Sequence, residues 1–196
     1  MRFRASGRTY ALASAVFVAV LAAALAPQSF AVSGGAGIPP SPTPAPGSGG
    51  EGPDQLTTPG DTAQLSPDGR VAIPPASAPS EVKKAIAAAN RITNKPYRYG
   101  GGHRRFRDSG YDCSGSVSYA LRGGKFVKRP LHSSAFMRWG EAGRGDWVTV
   151  YTNPGHAYVM IAGLRFDTSG PGERGPRWRK SARSARRYAA RHPEGF

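Results

Sequence analysis

Apolar positions from Ser80 to Ile92 recur with helical spacing. Val82, Ala85, Ile86, Ala89 and Ile92 fall on one face, with Ser80 as the expected N-cap and Glu81 in the first turn. Asn94 and Pro96 end that helix. Tyr97 to Arg107 is Gly-rich and basic, which reads as loop. A second helix is predicted from about Cys113, with Val117, Ala120 and Leu121 as its apolar stripe and Gly123-Gly124 as its stop. Residues 132–140 fit a short third helix. The period then shortens to that of strands. Trp147–Tyr151, His156–Ala162 and Leu164–Thr168 are separated by the Asn153-Pro154-Gly155 turn and by a turn at Gly163. Helices followed by a meander predict an α+β domain, its N-terminal helices packed on an antiparallel sheet.

Upstream the pattern vanishes. Residues 32–79 are mostly Pro, Gly, Ser, Thr and Ala, too poor in large apolar groups to offset the entropy of ordering, and predict a disordered arm. Only Val71 to Pro75 offers a patch able to dock on the domain. Order is therefore expected from residue 80, and 80–196 is long enough to bury a core without cross-links. Residues 1–31 have another character. Arg2, Arg4 and Arg8 precede an apolar run from Ala11 to Ala26, and Ser29-Phe30-Ala31 supplies small residues for cleavage. That run is 16 residues, short of the roughly 20 of a membrane span. A cleaved secretory signal is expected, with no stable span afterwards and a secreted location. The only Cys is Cys113, so a lipid anchor at the cleavage site and an internal disulfide are both excluded.

Charge narrows the partners. The chain carries +15. The three arginines of the leader are balanced by the excess of carboxylates in the arm, so the whole +15 sits on the domain. Such a field attracts polyanions. For an exported chain those are anionic cell-wall polymers and peptidoglycan carboxylates. No aromatic-basic stacking motif or zinc module points to nucleic acid. The strongly basic stretch from Arg177 to Arg191 fits either a helix or an exposed tail.

The chemistry centres on Asp112-Cys113-Ser114-Gly115. A thiol at a helix start lies among unpaired N–H groups and the positive end of the dipole, which lower its pKa from about 8.5. The same N–H groups are placed to steady an oxyanion. A nucleophilic Cys needs a base. Of the four histidines, His103 lies in the arginine-rich loop and is expected exposed. His132 sits near a helix start and His192 in the tail. His156 opens a core strand and is the candidate. A two-residue turn at Ala162-Gly163 pairs Leu164 with Ile161, which puts Asp167 on the face of His156 and Tyr158. Asp167 is then placed to orient the imidazole. Cys and His do not cluster at zinc spacings, so neither metal nor other cofactor is expected.

Pro96-Tyr97-Arg98-Tyr99-Gly100-Gly101, then Asp112-Cys113-Ser114-Gly115, Gly145-Asp146-Trp147-Val148 and Gly155-His156 together resemble the NlpC family of bacterial cell-wall cysteine peptidases in motif, order and spacing. The resemblance spans about residues 81–168. It implies a papain-like α+β fold and hydrolysis of peptide bonds in peptidoglycan stems, typically between D-glutamate and a diamino acid; the secreted enzyme is expected to be a monomer. The resemblance assigns Cys113 as nucleophile, His156 as base and Tyr97 as an oxyanion donor, and puts Asp167 where the family carries its third polar residue, usually His, Asn or Gln. Asp112 and Ser114 beside the nucleophile are implied substrate contacts. So are Ser133 and Ser134, because Pro130-Leu131-His132-Ser133-Ser134 is similar to the family's Leu-Pro-Arg-Ser stretch near the cleft. The alternatives are an amidase or acyltransferase on the same scaffold, or a wall-binding module without catalysis.

Overall fold

The computed structural model describes residues 60–171, 175–180 and 183–196. The expected signal, and the expected arm as far as residue 59, lie outside the described residues. The protein is mixed α+β, with three helices and an antiparallel sheet among the described residues.

Helix α1, Ser80–Asn90, begins one residue earlier than an N-cap at Ser80 requires. Pro79 holds the cap position, where it needs no N–H, and its carbonyl accepts from Lys83. Helix α2 runs from Cys113 to Gly123 and α3 from Ser133 to Phe136. Strand β3 is Glu141–Ala142, β4 Val148–Asn153, β5 His156–Ile161, β6 Leu164–Asp167, β7 Arg177–Arg179 and β8 Ala189–His192. They form one six-stranded sheet in the order β3-β8-β4-β5-β6-β7. Its core face carries Val148, Val150, Val159, Ile161, Leu164 and Phe166, which are buried in one cluster with Val82, Ile86, Val117 and Leu121 of α1 and α2. A side chain at Gly123 would collide with the Lys84 carbonyl at 2.4 Å, so glycine there permits the close crossing of the two helices.

Two boundaries differ from expectation. Order begins before residue 80. Strands β1, Gln64–Leu65, and β2, Ala72–Ile73, pair antiparallel, Ala63 and Ala72 are buried, and the Ala63 N–H donates to the Ala162 carbonyl at 2.8 Å. Asn90 fastens this hairpin: its Oδ1 accepts from the Ala72 N–H and from Trp178 Nε1, and its Nδ2 donates to the Ala72 carbonyl. Small residues suffice here because the hairpin borrows a finished core instead of building one.

The basic C-terminal stretch is neither helix nor tail. It supplies β7 at the sheet edge and β8 inside the sheet, between β3 and β4. Arg191 is held by the carbonyls of Trp139 and Gly140, and the Phe196 carbonyl accepts from Trp147 and Val148. Its arginines take part in the ladders, Arg177 and Arg179 pairing with β6 and Arg191 with Val150 and Ala142.

Candidate active site

Helix α2 begins at Cys113 because Asp112 caps it. The Asp112 backbone is extended, and its Oδ1 accepts from the Gly115 N–H at 2.8 Å. Asp112 Oδ2 also accepts from the Gly100 N–H at 3.1 Å, and the Asp112 N–H donates to the Gly101 carbonyl at 3.3 Å. These bonds lay the glycine loop on the first turn of α2. A Cβ at Gly115 would stand 2.0 Å from the Gly101 carbonyl oxygen, so only glycine fits. Of the first-turn N–H groups, that of Gly115 is taken by Asp112, and those of Cys113 and Ser114 have no partner within the helix ladder.

His156 opens β5 directly after the turn, its N–H donating to Asn153 Oδ1 at 2.9 Å. The β5–β6 connection is the two-residue turn that sequence parity requires. Ile161 pairs with Leu164, and Ala162 and Gly163 take φ values of +46° and +82°. Asp167 consequently meets His156, whose Nε2 lies 2.9 Å from Asp167 Oδ1. With Nε2 so engaged, Nδ1 is left for the thiol.

Three shifts follow from this packing. Burial pushes the Cys113 thiol up, but hydrogen bonds with His156 and the Ala157 N–H outweigh it and lower the pKa, against an opposing push from the Asp112 charge. Burial disfavours a charged His156 ring. Hydrogen bonds to Asp167 and Cys113 and their charges prevail, raising its pKa to about 9. Burial also acts to raise Asp167, which is fully buried, yet His156 and the Ser169 N–H hold its carboxyl below the usual range. All three directions favour a thiolate–imidazolium pair backed by a carboxylate.

Several contributors were not foreseen from the sequence. The Ser169 N–H and hydroxyl donate to Asp167 Oδ1 at 2.9 and 3.1 Å. Arg183 Nη1 donates to Asp167 Oδ2 at 3.2 Å and to the Ser169 hydroxyl, and its guanidinium lies over the rings of Tyr158 and Tyr188. Tyr188 also packs edge-on to His156. The C-terminal stretch thus roofs the His156–Asp167 pair. The only local signal was an aromatic among arginines in a segment read on charge alone.

The remaining expected residues fall as follows. Tyr97 bridges its backbone to Tyr111 just ahead of the nucleophile, and the residue is 41% exposed. Asp112 and Ser114, expected among substrate contacts, are buried and engaged internally. His103 Nε2 lies 3.0 Å from both Asp112 Oδ1 and Ser114 Oγ, so this histidine is half-buried in a polar cluster and not exposed as expected. Ser133 donates to the Pro154 carbonyl at 2.9 Å, and its own carbonyl accepts from Thr152 Oγ1 at 2.6 Å, tying α3 to the turn before His156. Ser134 is half-buried in α3 beside it. His132 caps α3, and His192 lies in β8 with Nε2 3.2 Å from Glu141.

Among the described residues no group of three or more His, Cys, Asp or Glu is gathered to hold a metal ion, and no helix is long and apolar enough to cross a membrane. No protein-family model matches the chain, and comparison with curated proteins gives no match.

Proposed function

We propose that the chain is a secreted, papain-like cysteine endopeptidase of the NlpC type that hydrolyses peptide bonds in peptidoglycan stem peptides. The observation that carries this reading is His156 Nε2 held 2.9 Å from the buried Asp167 carboxylate, with the imidazole and the Cys113 thiol at the start of α2 shifting each other toward the charged pair. The Cys113 thiolate attacks a stem-peptide carbonyl, forming a C–S bond. The α2 N–H groups and the Tyr97 hydroxyl steady the oxyanion. The His156 imidazolium gives its proton to the departing amine, and the C–N bond breaks to leave a thioester. Water, deprotonated by His156, attacks that thioester, and the thiolate leaves with the acid released.

Incubating purified muropeptides with the protein and weighing the products tests this. The expected products differ from the substrate by one added water split between two peptides. Joined peptides would identify an acyltransferase, and intact muropeptides beside an alkylatable Cys113 would leave a thiol site acting on another substrate.

A further inference from the structure

A second site lies on the other side of the α2 cap. The loop from Arg98 to Asp108 encloses an open bowl of about 560 Å³, lined by Arg98, Tyr99, Gly100, Gly101, Arg104, Arg105 and Asp108. Three guanidinium groups face one carboxylate. That carboxylate is largely committed, since Asp108 accepts from the N–H groups of Gly102 at 3.1 Å and Ser109 at 2.7 Å. Arg98 Nη1 stands 3.9 Å from Asp108 and donates to the Ser109 hydroxyl at 2.9 Å, which sets its direction. Arg104 and Arg105 are exposed and take no part in the ion pairs found among the described residues. Two positive charges therefore stand uncompensated in one concavity.

The bowl is held in shape. The Gly101 N–H donates to the Arg98 carbonyl, the Tyr111 hydroxyl to the Phe106 carbonyl, and Gly100 and Gly101 both bond to Asp112. The loop backbone that carries the three arginines is therefore preset, and Arg98 is oriented by Ser109, while the exposed Arg104 and Arg105 side chains are ordered only on capturing an oxyanion. Three forks at separate points match a tetrahedral group with several acceptor oxygens better than a two-oxygen carboxylate, which one fork satisfies. Tyr99 is 91% exposed at the rim, a lone aromatic where a base-stacking strand would need a series.

We infer that the Arg98–Arg104–Arg105 bowl is a phosphate-binding site that holds a phosphodiester of a base-free anionic polymer beside the candidate nucleophile. The choice of a wall-type polymer rests on the reading proposed above; the phosphate chemistry does not. Bound there, the polymer would fix the enzyme on the wall through the same loop that buttresses the α2 cap. The alternatives for so basic a domain, diffuse attraction and nucleic acid, are separable by experiment.

The test is calorimetric titration of the full chain with inorganic phosphate, poly(glycerol phosphate), poly-γ-glutamate and a single-stranded oligonucleotide of matched charge, at low and at physiological salt. The wild type should bind poly(glycerol phosphate) most tightly. Arg104→Gln with Arg105→Gln should weaken that binding by about tenfold or more and lessen its salt dependence, with an unchanged melting temperature. Arg186→Gln with Arg187→Gln, an exposed pair of equal charge elsewhere, should weaken it far less. Binding of inorganic phosphate lost in the first double variant would support the site and assign it to free phosphate if the polymer does not bind. Equal losses in the two double variants would overturn the site in favour of diffuse charge. Tighter binding of the carboxylate polymer would overturn the phosphate assignment, and tighter binding of the oligonucleotide the base-free one. Because no arm measures hydrolysis, failure of the peptidase reading leaves these results interpretable.

Discussion

Cys113 is flanked by two histidine–aspartate pairs of nearly the same geometry. His156 meets Asp167 at 2.9 Å, and His103 meets Asp112 at 3.0 Å. Their surroundings differ. Asp167 is fully buried, and its one helix-free carboxylate is ringed by Ser169, Arg183 and, at 3.7 Å, Arg165. Asp112 divides its oxygens between the α2 cap and the glycine loop. His156 reaches the thiol, while His103 reaches the buried Ser114. A short His–Asp distance therefore does not identify a catalytic pair. Under the proposed reading, what the imidazole touches on its far side, and what else its carboxylate must hold, separates a pair placed for proton transfer from one that fixes a loop.

The sharpest way to break this contrast is to remove each histidine. His156→Ala, like Cys113→Ala, should reduce muropeptide hydrolysis to background while the circular dichroism spectrum stays that of the wild type. His103→Gln should change turnover by only a few-fold and show mainly as a lower melting temperature. Comparable losses of turnover in the two histidine variants would erase the distinction.

Asp167 comes next. Asp167→Ala should cost about tenfold or more in turnover, because the ring loses its orienting acceptor; Asp167→Asn keeps an acceptor and should retain more. Either change removes a negative charge, so the His156 pKa should fall from about 9. The hydrolysis profile, which in the wild type should decline as pH rises through about 9 and the imidazolium is lost, should then decline at lower pH. NMR titration of the His156 ring reads the same shift without an assay.

Much of this arrangement was legible in the chain. The thiol at the start of α2 follows from local helix chemistry, whereas Asp112, read as a substrate contact, proves to be the cap of that helix; the meeting of His156 with Asp167 follows from counting through a two-residue turn. Ser169, Arg183 and Tyr188 were not legible, because their roles depend on how the C-terminal stretch returns over β5 and β6. His103 was misjudged for a related reason. Its arginine neighbours point outward, and local composition does not reveal that one residue among them turns inward to the α2 cap. Strand β8 was hidden by charge: two alanines and flanking basic residues carry no strand period, yet the ladder needs only their backbone.

Arg183→Gln offers a finer test. The guanidinium competes with the imidazolium for Asp167, and it opposes a positive ring through space. Its loss should raise the His156 pKa and move the alkaline limb of the profile upward, the opposite direction to Asp167→Asn. Arg183→Lys should restore part of the wild-type value. No movement in the ring titration would reduce Arg183 to a cover for Tyr158 and Tyr188.

The smallest expected effect belongs to the other pair. Asp112→Asn keeps one capping oxygen, loses the acceptor for the Gly100 N–H, and removes a charge that works against the thiolate. The Cys113 pKa should drop slightly further, seen as a shift to lower pH in thiolate absorbance, with little change in turnover.

The position of β8 has a consequence for how the molecule comes into being. Strands β4, β5 and β6 are joined by tight turns and can pair as soon as they exist. The inner edge of β4, from Val150 to Thr152, has to wait for Ala189–Arg191 to arrive from the far end of the chain. Until that loop closes, the edge is an open row of backbone donors and acceptors, a template for pairing with another chain. Closing it is a long-range step, which carries a larger loop-closure cost than the tight-turn pairings. The same pairing accompanies the placement of Tyr188 and Arg183 over the histidine, so one long-range contact both covers the β4 edge and completes the surroundings of His156.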